Sequence, residues 1–215
     1  MNKNSPTYIF LFITVLSAVF GAGVAVVHFS TQKILDRNEQ LHRNRAIARA
    51  FALQVAEKTP EAYEQAIKRR LTTTTIESEG EKITVFRHEK TGRIGFVFSG
   101  MGFWDVIRGV IVLSPGLKQI SNIQFLEQKE TPGLGARIEE EWFTEQFHDL
   151  NIAWQEPVDQ RIIIGGSSGN ELPNRVDAVT GATQTSMALM RILNEELAAF
   201  KQAYRKNEKP QGKSS

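Results

Sequence analysis

From Tyr8 to Phe29 the chain reads YIFLFITVLSAVFGAGVAVVHF, without an Asp, Glu, Lys or Arg. A helix of that length rises about 30 Å, the thickness of a bilayer's hydrocarbon layer. The run is therefore read as a membrane segment, and the rest of the chain has to fold beside it. Small residues Gly21, Ala22, Gly23 and Ala25 lie late in the run, as they do before a signal-peptide cleavage site. The stretch is long for a signal peptide, however, and only Lys3 precedes it, so an uncleaved anchor is expected. Lys33, Arg37, Arg43 and Arg45 follow the run, and the positive-inside rule taken alone would put the following domain in the cytoplasm.

The remainder of the 215 residues suits one core of ordinary size better than two small ones. The formal net charge is +2, with basic residues scattered among acidic ones, which argues against a nucleic-acid partner. The absence of cysteine removes disulfides, thiolate metal sites, iron–sulfur clusters and cysteine nucleophiles together. His28, His42, His88 and His148 lack metal-ligand spacing and are read as structural or solvated, so no metal is expected.

Four segments are expected: an anchor over residues 1–30, a helical stalk and linker over 31–79, a folded domain over 80–205, and a disordered polar tail over 206–215. In residues 31–58 Ile34, Leu41, Ile47, Phe51 and Val55 recur at helical spacing without Gly or Pro, predicting a helix that continues from the membrane. Pro60 behind an N-cap-like Thr59 opens a short helix, after which the threonine run is a loop or an edge strand. Residues 82–126 hold KITVFRHE, RIGFVFSG, DVIRGVIVLSP and QISNIQFLEQ, separated by turn residues, which predicts an antiparallel meander. Trp142, Phe143 and Phe147 predict a helix from Glu139, and QRIIIGG one further strand. A long helix is expected from about Gln184 to Arg205, with Met187, Met190, Leu193, Leu197 and Phe200 on one face. The fold class is α+β, a mostly antiparallel sheet with packed helices behind a single membrane helix and stalk.

Two stretches fit chemistry as well as structure. In ETPGLGARIEE, from Glu130, Pro132 fixes its own φ while Gly133 and Gly135 permit unusual or close backbone, so main-chain amides can face a flat ligand. Taken alone it also reads as an ordinary turn before a helix. In VDAVTGATQTSMALMRIL, Thr180, Thr183, Thr185 and Ser186 cluster where a helix starts. Either a hydroxyl caps the first amides or a phosphate lies on them, and capping alone would account for these residue types.

Together with SGMGFWDVIRG at Ser99–Gly109, the stretches DAVTGAT and ETPGLGARI resemble the FMN-binding domain family. That family includes the G subunit of Rnf-type electron transport complexes and the C subunit of the sodium-translocating NADH:quinone oxidoreductase. The resemblance covers roughly residues 80–200. It implies covalent FMN, taken from FAD by a flavin transferase and esterified to a threonine. It also implies a single-pass inner-membrane electron carrier, partnered by the other subunits of a membrane redox complex, with its flavin domain on the extracytoplasmic, periplasmic side. Carried over by position, Thr183 is the acceptor, Asp177 the motif's acidic residue, Thr180 its hydroxyl position and Gly181-Ala182 its small pair. Glu130, Thr131, Gly133, Leu134 and Gly135 would pass near the ring, while Phe103 and Trp104 either flank it or belong to the core. Two rival readings are a noncovalent FMN-dependent reductase, for which no substrate-facing acid or base is evident, and a flavin-free tethered interaction domain whose threonines only cap a helix.

Overall fold

The computed structural model describes residues 5–78, 81–166 and 172–208. The chain forms two compact units, divided between His42 and Arg43. The first holds helix α1 (Pro6–Ala50) as far as His42, and that helix is long and apolar enough to cross a membrane. Its Phe10, Phe12, Phe20, Val24 and Phe29 are all exposed, as a lipid-facing helix requires. Helix α1 ends at Ala50 and does not reach residue 58 as its periodicity predicts, and Ala52 takes a left-handed φ of 53°. The cause is tertiary: Phe51 is buried against Phe86, its ring within 2.7 Å of where a Cβ on Gly95 would stand. Burying that ring overrides the local helical preference.

The second unit takes in the end of α1 from Arg43 and continues with α2 (Pro60–Arg70), capped by the Thr59 hydroxyl, which accepts the Ala62 N–H at 3.2 Å. Six antiparallel strands follow in sequential order: β1 (Leu71–Ser78), β2 (Glu81–His88), β3 (Ile94–Met101), β4 (Val106–Leu113), β5 (Gln119–Glu127) and β6 (Leu150–Asn151). The threonine run is the edge strand, paired with β2 from Leu71 opposite His88 to Ser78 opposite Glu81. Its Leu71 and Ile76 are buried while Thr72 to Thr75 stay exposed, a use that suits β-branched polar residues. Strand β4 is covered on both faces: Ile111 and Leu113 enter the main core, and Val110 and Val112 join Phe51, Leu71 and Phe86 in a second cluster.

Between β5 and β6 the expected helix is broken into a 3-10 turn at Gly135–Glu139, a single turn α3 (Glu141–Thr144) and another 3-10 turn at Glu145–Phe147. Glu140 interrupts them in an extended conformation with ψ 146°. Phe143 and Phe147 still reach the core, whereas Trp142 is exposed. The QRIIIGG strand shrinks to β7 (Ile163–Ile164), which leaves the main sheet and pairs in parallel with β8 (Arg175–Val176). Gly165 and Gly166, at φ 89° and 111°, end it.

Helix α4 (Thr183–Glu208) covers the main face of the sheet, with Phe200 stacked on Phe96 of β3 at 4.3 Å and Ile192 filling the space beside Gly100. Its buried stripe runs through Leu189, Ile192, Leu193, Leu197 and Phe200. Met187 is 52% exposed, contrary to the expected face, because it lies across the helix from that stripe. Lys206 to Glu208 continue α4, and the rest of the expected polar tail, from residue 209, lies outside the described residues.

Candidate functional site

Three loops meet at the start of α4. The first is the β3–β4 turn, where the Gly102 N–H donates to the Asp105 carbonyl at 2.9 Å. Asp105 braces the turn: one carboxylate oxygen accepts the Val106 N–H at 2.7 Å and the other meets Lys129 Nζ at 3.1 Å. The Val106 amide first, and Lys129 second, hold this carboxyl below the usual carboxylate range. A turn fixed in this way presents Phe103 and Trp104 edge to face at 5.0 Å, 50% and 62% exposed. These aromatics are therefore surface groups and not core.

The second loop carries the ETPGLG stretch out of β5. The Leu134 and Ala136 N–H groups both donate to the Thr131 carbonyl at 3.1 Å, and Gly133 makes the turn possible at φ 75°. The third loop is Val179–Ala182, closed by the Ala182 N–H on the Val179 carbonyl at 3.0 Å, with Gly181 at φ 80°. A Cβ at Gly181 would also stand 3.2 Å from Leu134 Cδ2, so this glycine lets the second and third loops touch.

Phe103, Trp104, Thr131, Leu134, Gly135, Gly181, Ala182, Thr183, Gln184 and Thr185 line one cleft of about 380 Å³. That volume falls in the range of small-ligand sites, roughly 300–1,000 Å³. The motifs singled out along the chain are thus neighbours in space. Asp177 and Thr180 are exposed but do not line the cleft, and the Asp177 N–H donates to Gln146 Oε1 at 2.7 Å. Glu130 lies behind the cleft wall, buried, with its oxygens engaged by protein donors. His88 is remote from these loops: it is buried and its Nδ1 accepts the Lys90 and Thr91 amides at 3.2 and 3.3 Å. Burial, followed by Arg70 and Arg93, lowers its pKa.

The hydroxyl cluster separates into distinct roles. Thr185 is buried and donates to Glu130 Oε2 at 2.7 Å. Ser186 is buried, and its Oγ accepts the Val179 N–H at 3.2 Å. Thr183, the first residue of α4, is exposed on the cleft. The first turn of α4 contains no acidic residue of its own, but the buried Glu130 carboxylate lies against it through the Thr185 hydroxyl. The tie between Thr185 and Glu130 was not visible to sequence reasoning, and neither was the place of Gln184 in the cleft wall.

An aromatic wall, two glycines and a helix mouth with an exposed threonine make a cleft of the shape a flat, anionic ligand needs. Residues 102–198 match the family model of the FMN-binding domain. This stretch contains all three loops of the cleft. Among relatives, the C subunit of the Na(+)-translocating NADH-quinone reductase of Neisseria meningitidis serogroup A is 31% identical over 97 residues, 45% of this chain and 37% of that one. Its counterpart in Vibrio vulnificus is 26% identical over 161 residues, 75% of this chain and 60% of that one. The matches therefore span less than two thirds of the relatives' length. Two solved structures share the fold. Shewanella oneidensis NqrC has a TM-score of 0.65 at 15% identity, covering 79% of this chain and 97% of that one. The corresponding Na(+)-translocating NADH-quinone reductase protein from Parabacteroides distasonis has 0.66 at 20% identity, covering 79% and 94%.

The residues present fit FMN. Phe103, Trp104 and Leu134 offer apolar surface to a ring system, Gly135 and Gly181 keep side chains off the backbone beside it, Thr183 at the start of α4 suits a phosphate, and Gly133 does not line the cleft.

Proposed function

We propose that the protein is a membrane-anchored electron-transfer protein bearing FMN as a phosphodiester on Thr183, within a membrane redox complex of the kind its relatives are named for. The observation that carries this reading is that Thr183 alone among Thr183, Thr185 and Ser186 offers an exposed hydroxyl, and offers it on the wall of the cleft. Attachment requires a flavin transferase and FAD. Thr183 Oγ forms a bond to the phosphorus on the FMN side of the pyrophosphate, the bond to the AMP phosphate breaks, and AMP leaves with that electron pair. The hydroxyl proton passes to a base of the transferase. Asp177 and Thr180, exposed beside the acceptor but outside the cleft, are placed to meet the transferase and not the ring. Once bound, FMN supplies the redox chemistry. The chain supplies attachment, an aromatic wall and a helix mouth for the phosphate. Among the described residues no acid, histidine or lysine lines the cleft, which gives a stand-alone reductase no proton donor there.

The test is direct. Protein produced with the transferase and run on a denaturing gel is expected to keep flavin fluorescence in its band, and a digest to carry the FMN mass on the peptide containing Thr183. Fluorescence lost on denaturation would leave only noncovalent binding, and the mass on another residue would move the acceptor.

The same reading puts the domain outside the cytoplasm, against the four basic residues that follow the apolar run, because long segments and domains translocate despite modest flanking charge. Alkaline phosphatase fused after residue 208 is expected to be active, and a reporter that works only in the cytoplasm to be silent at the same place. The opposite pattern would reverse the topology.

A further inference from the structure

We propose that Glu130 is a positioning residue that joins the aromatic wall to the helix mouth and thereby fixes which threonine can receive the flavin. The proposal rests on attachment at Thr183. Glu130 is 4% exposed, and its Oε1 accepts the Phe103 and Trp104 N–H groups at 2.9 and 3.0 Å. Its Oε2 accepts the Thr185 hydroxyl at 2.7 Å. A carboxylate taken out of water needs such donors, and here they come from two different functional elements. The two amides belong to the residues that form the aromatic wall. The hydroxyl lies in the first turn of α4.

Two glycines close the arrangement. A Cβ at Gly102 would come within 2.5 Å of Glu130 Oε1, and one at Gly135 within 2.5 Å of Thr185 Oγ1 and 3.0 Å of Glu130 Oε2. Backbone without side chains therefore encloses the carboxylate, which leaves it little freedom to turn elsewhere.

The consequence for the acceptor follows from helix geometry. Residues two apart on an α-helix point about 200° apart, so a helix start that turns Thr185 inward turns Thr183 outward. Thr185, 3% exposed, has its single hydroxyl proton committed to Glu130, while Thr183 faces the cleft. Glu130 thus sets the rotation of the first turn and withdraws the competing nucleophile.

Three substitutions in the full-length protein, each produced with the transferase, separate this role from that of a mere charge. Glu130→Gln can still accept both amides through its carbonyl oxygen and donate to Thr185 Oγ1, so it is expected to keep flavin on Thr183 within about twofold of wild type. Glu130→Ala leaves two amides without an acceptor and is expected to lower that yield about tenfold or more. Glu130→Asp keeps the charge but withdraws it by one methylene and is expected to follow Ala. Poor labelling of Gln with good labelling of Asp would overturn positioning in favour of charge, and that comparison stands even where the Ala variant does not fold. Wild-type yield in both Ala and Asp would overturn the proposal altogether. Amide hydrogen exchange at Phe103 and Trp104 in unlabelled protein reads the joint without any flavin. It is expected to quicken in Asp but not in Gln, so a failure of attachment at Thr183 can be told from a failure of the joint.

Discussion

Thr183→Ala is expected to abolish covalent flavin, with no fluorescence left in the denatured band, while the domain keeps its fold. The side chain is exposed at the first residue of α4, and alanine there is at least as good a helix former as threonine, so the stability change is expected to stay within about 0.5 kcal/mol. Thr180→Ala and Thr185→Ala are expected to retain label. Thr185→Ala does so at reduced yield, because it leaves Glu130 Oε2 without its hydroxyl partner. A fluorescent band in the Thr183 variant, together with a folded circular dichroism spectrum, would place the ester on a different hydroxyl.

Phe200→Ala carries the largest expected loss of stability. The ring is fully buried and lies parallel to Phe96 at 4.3 Å, with Tyr204 at 5.3 Å on the same helix. Truncating such a side chain costs about 3–5 kcal/mol through lost burial and the cavity left behind. In a domain of this size that corresponds to a fall of about 6–20 °C in melting temperature. Because Phe200 fastens the helix that presents Thr183, flavin yield should fall with it, unlike in an exposed substitution such as Met187→Ala. A melting temperature within a degree or two of wild type would show that α4 is not held to β3 by this stack.

The meander was readable because its strands are short β-branched and aromatic runs and its turns carry Gly and Pro, signals that are local in the chain. Failures of the local reading have local sequence behind them as well, each overridden by a distant partner or a neighbouring break. Residues 51–58 look helical until Phe51 is seen against Phe86 and Gly95. Phe143 and Phe147 keep helical spacing, yet the α-helix stops at Thr144 and Phe147 falls in a 3-10 turn. In the site, TGAT and ETPGLG announce a helix mouth and a glycine turn from residue type alone. Glu130 is different, since a sequence names a carboxylate without saying where it points. Read as a group beside the ring, it proves to face Phe103, Trp104 and Thr185, residues far from it in the chain.

The order of the sheet bears on when the cleft can exist. From β1 to β5 each strand lies beside its neighbour in sequence, so hairpins can close over short loops at small entropic cost. The cleft has no such local route: Phe103 and Trp104, the Thr131–Gly135 turn and Thr183 meet only with α4, the last of the described elements, packed on β3. In a chain that emerges from its N-terminus, the strands are available before the residues that complete the cleft. A transferase that reads the assembled cleft would ignore unfinished chains, and the flavin ester would then serve as a covalent record that the domain had finished folding.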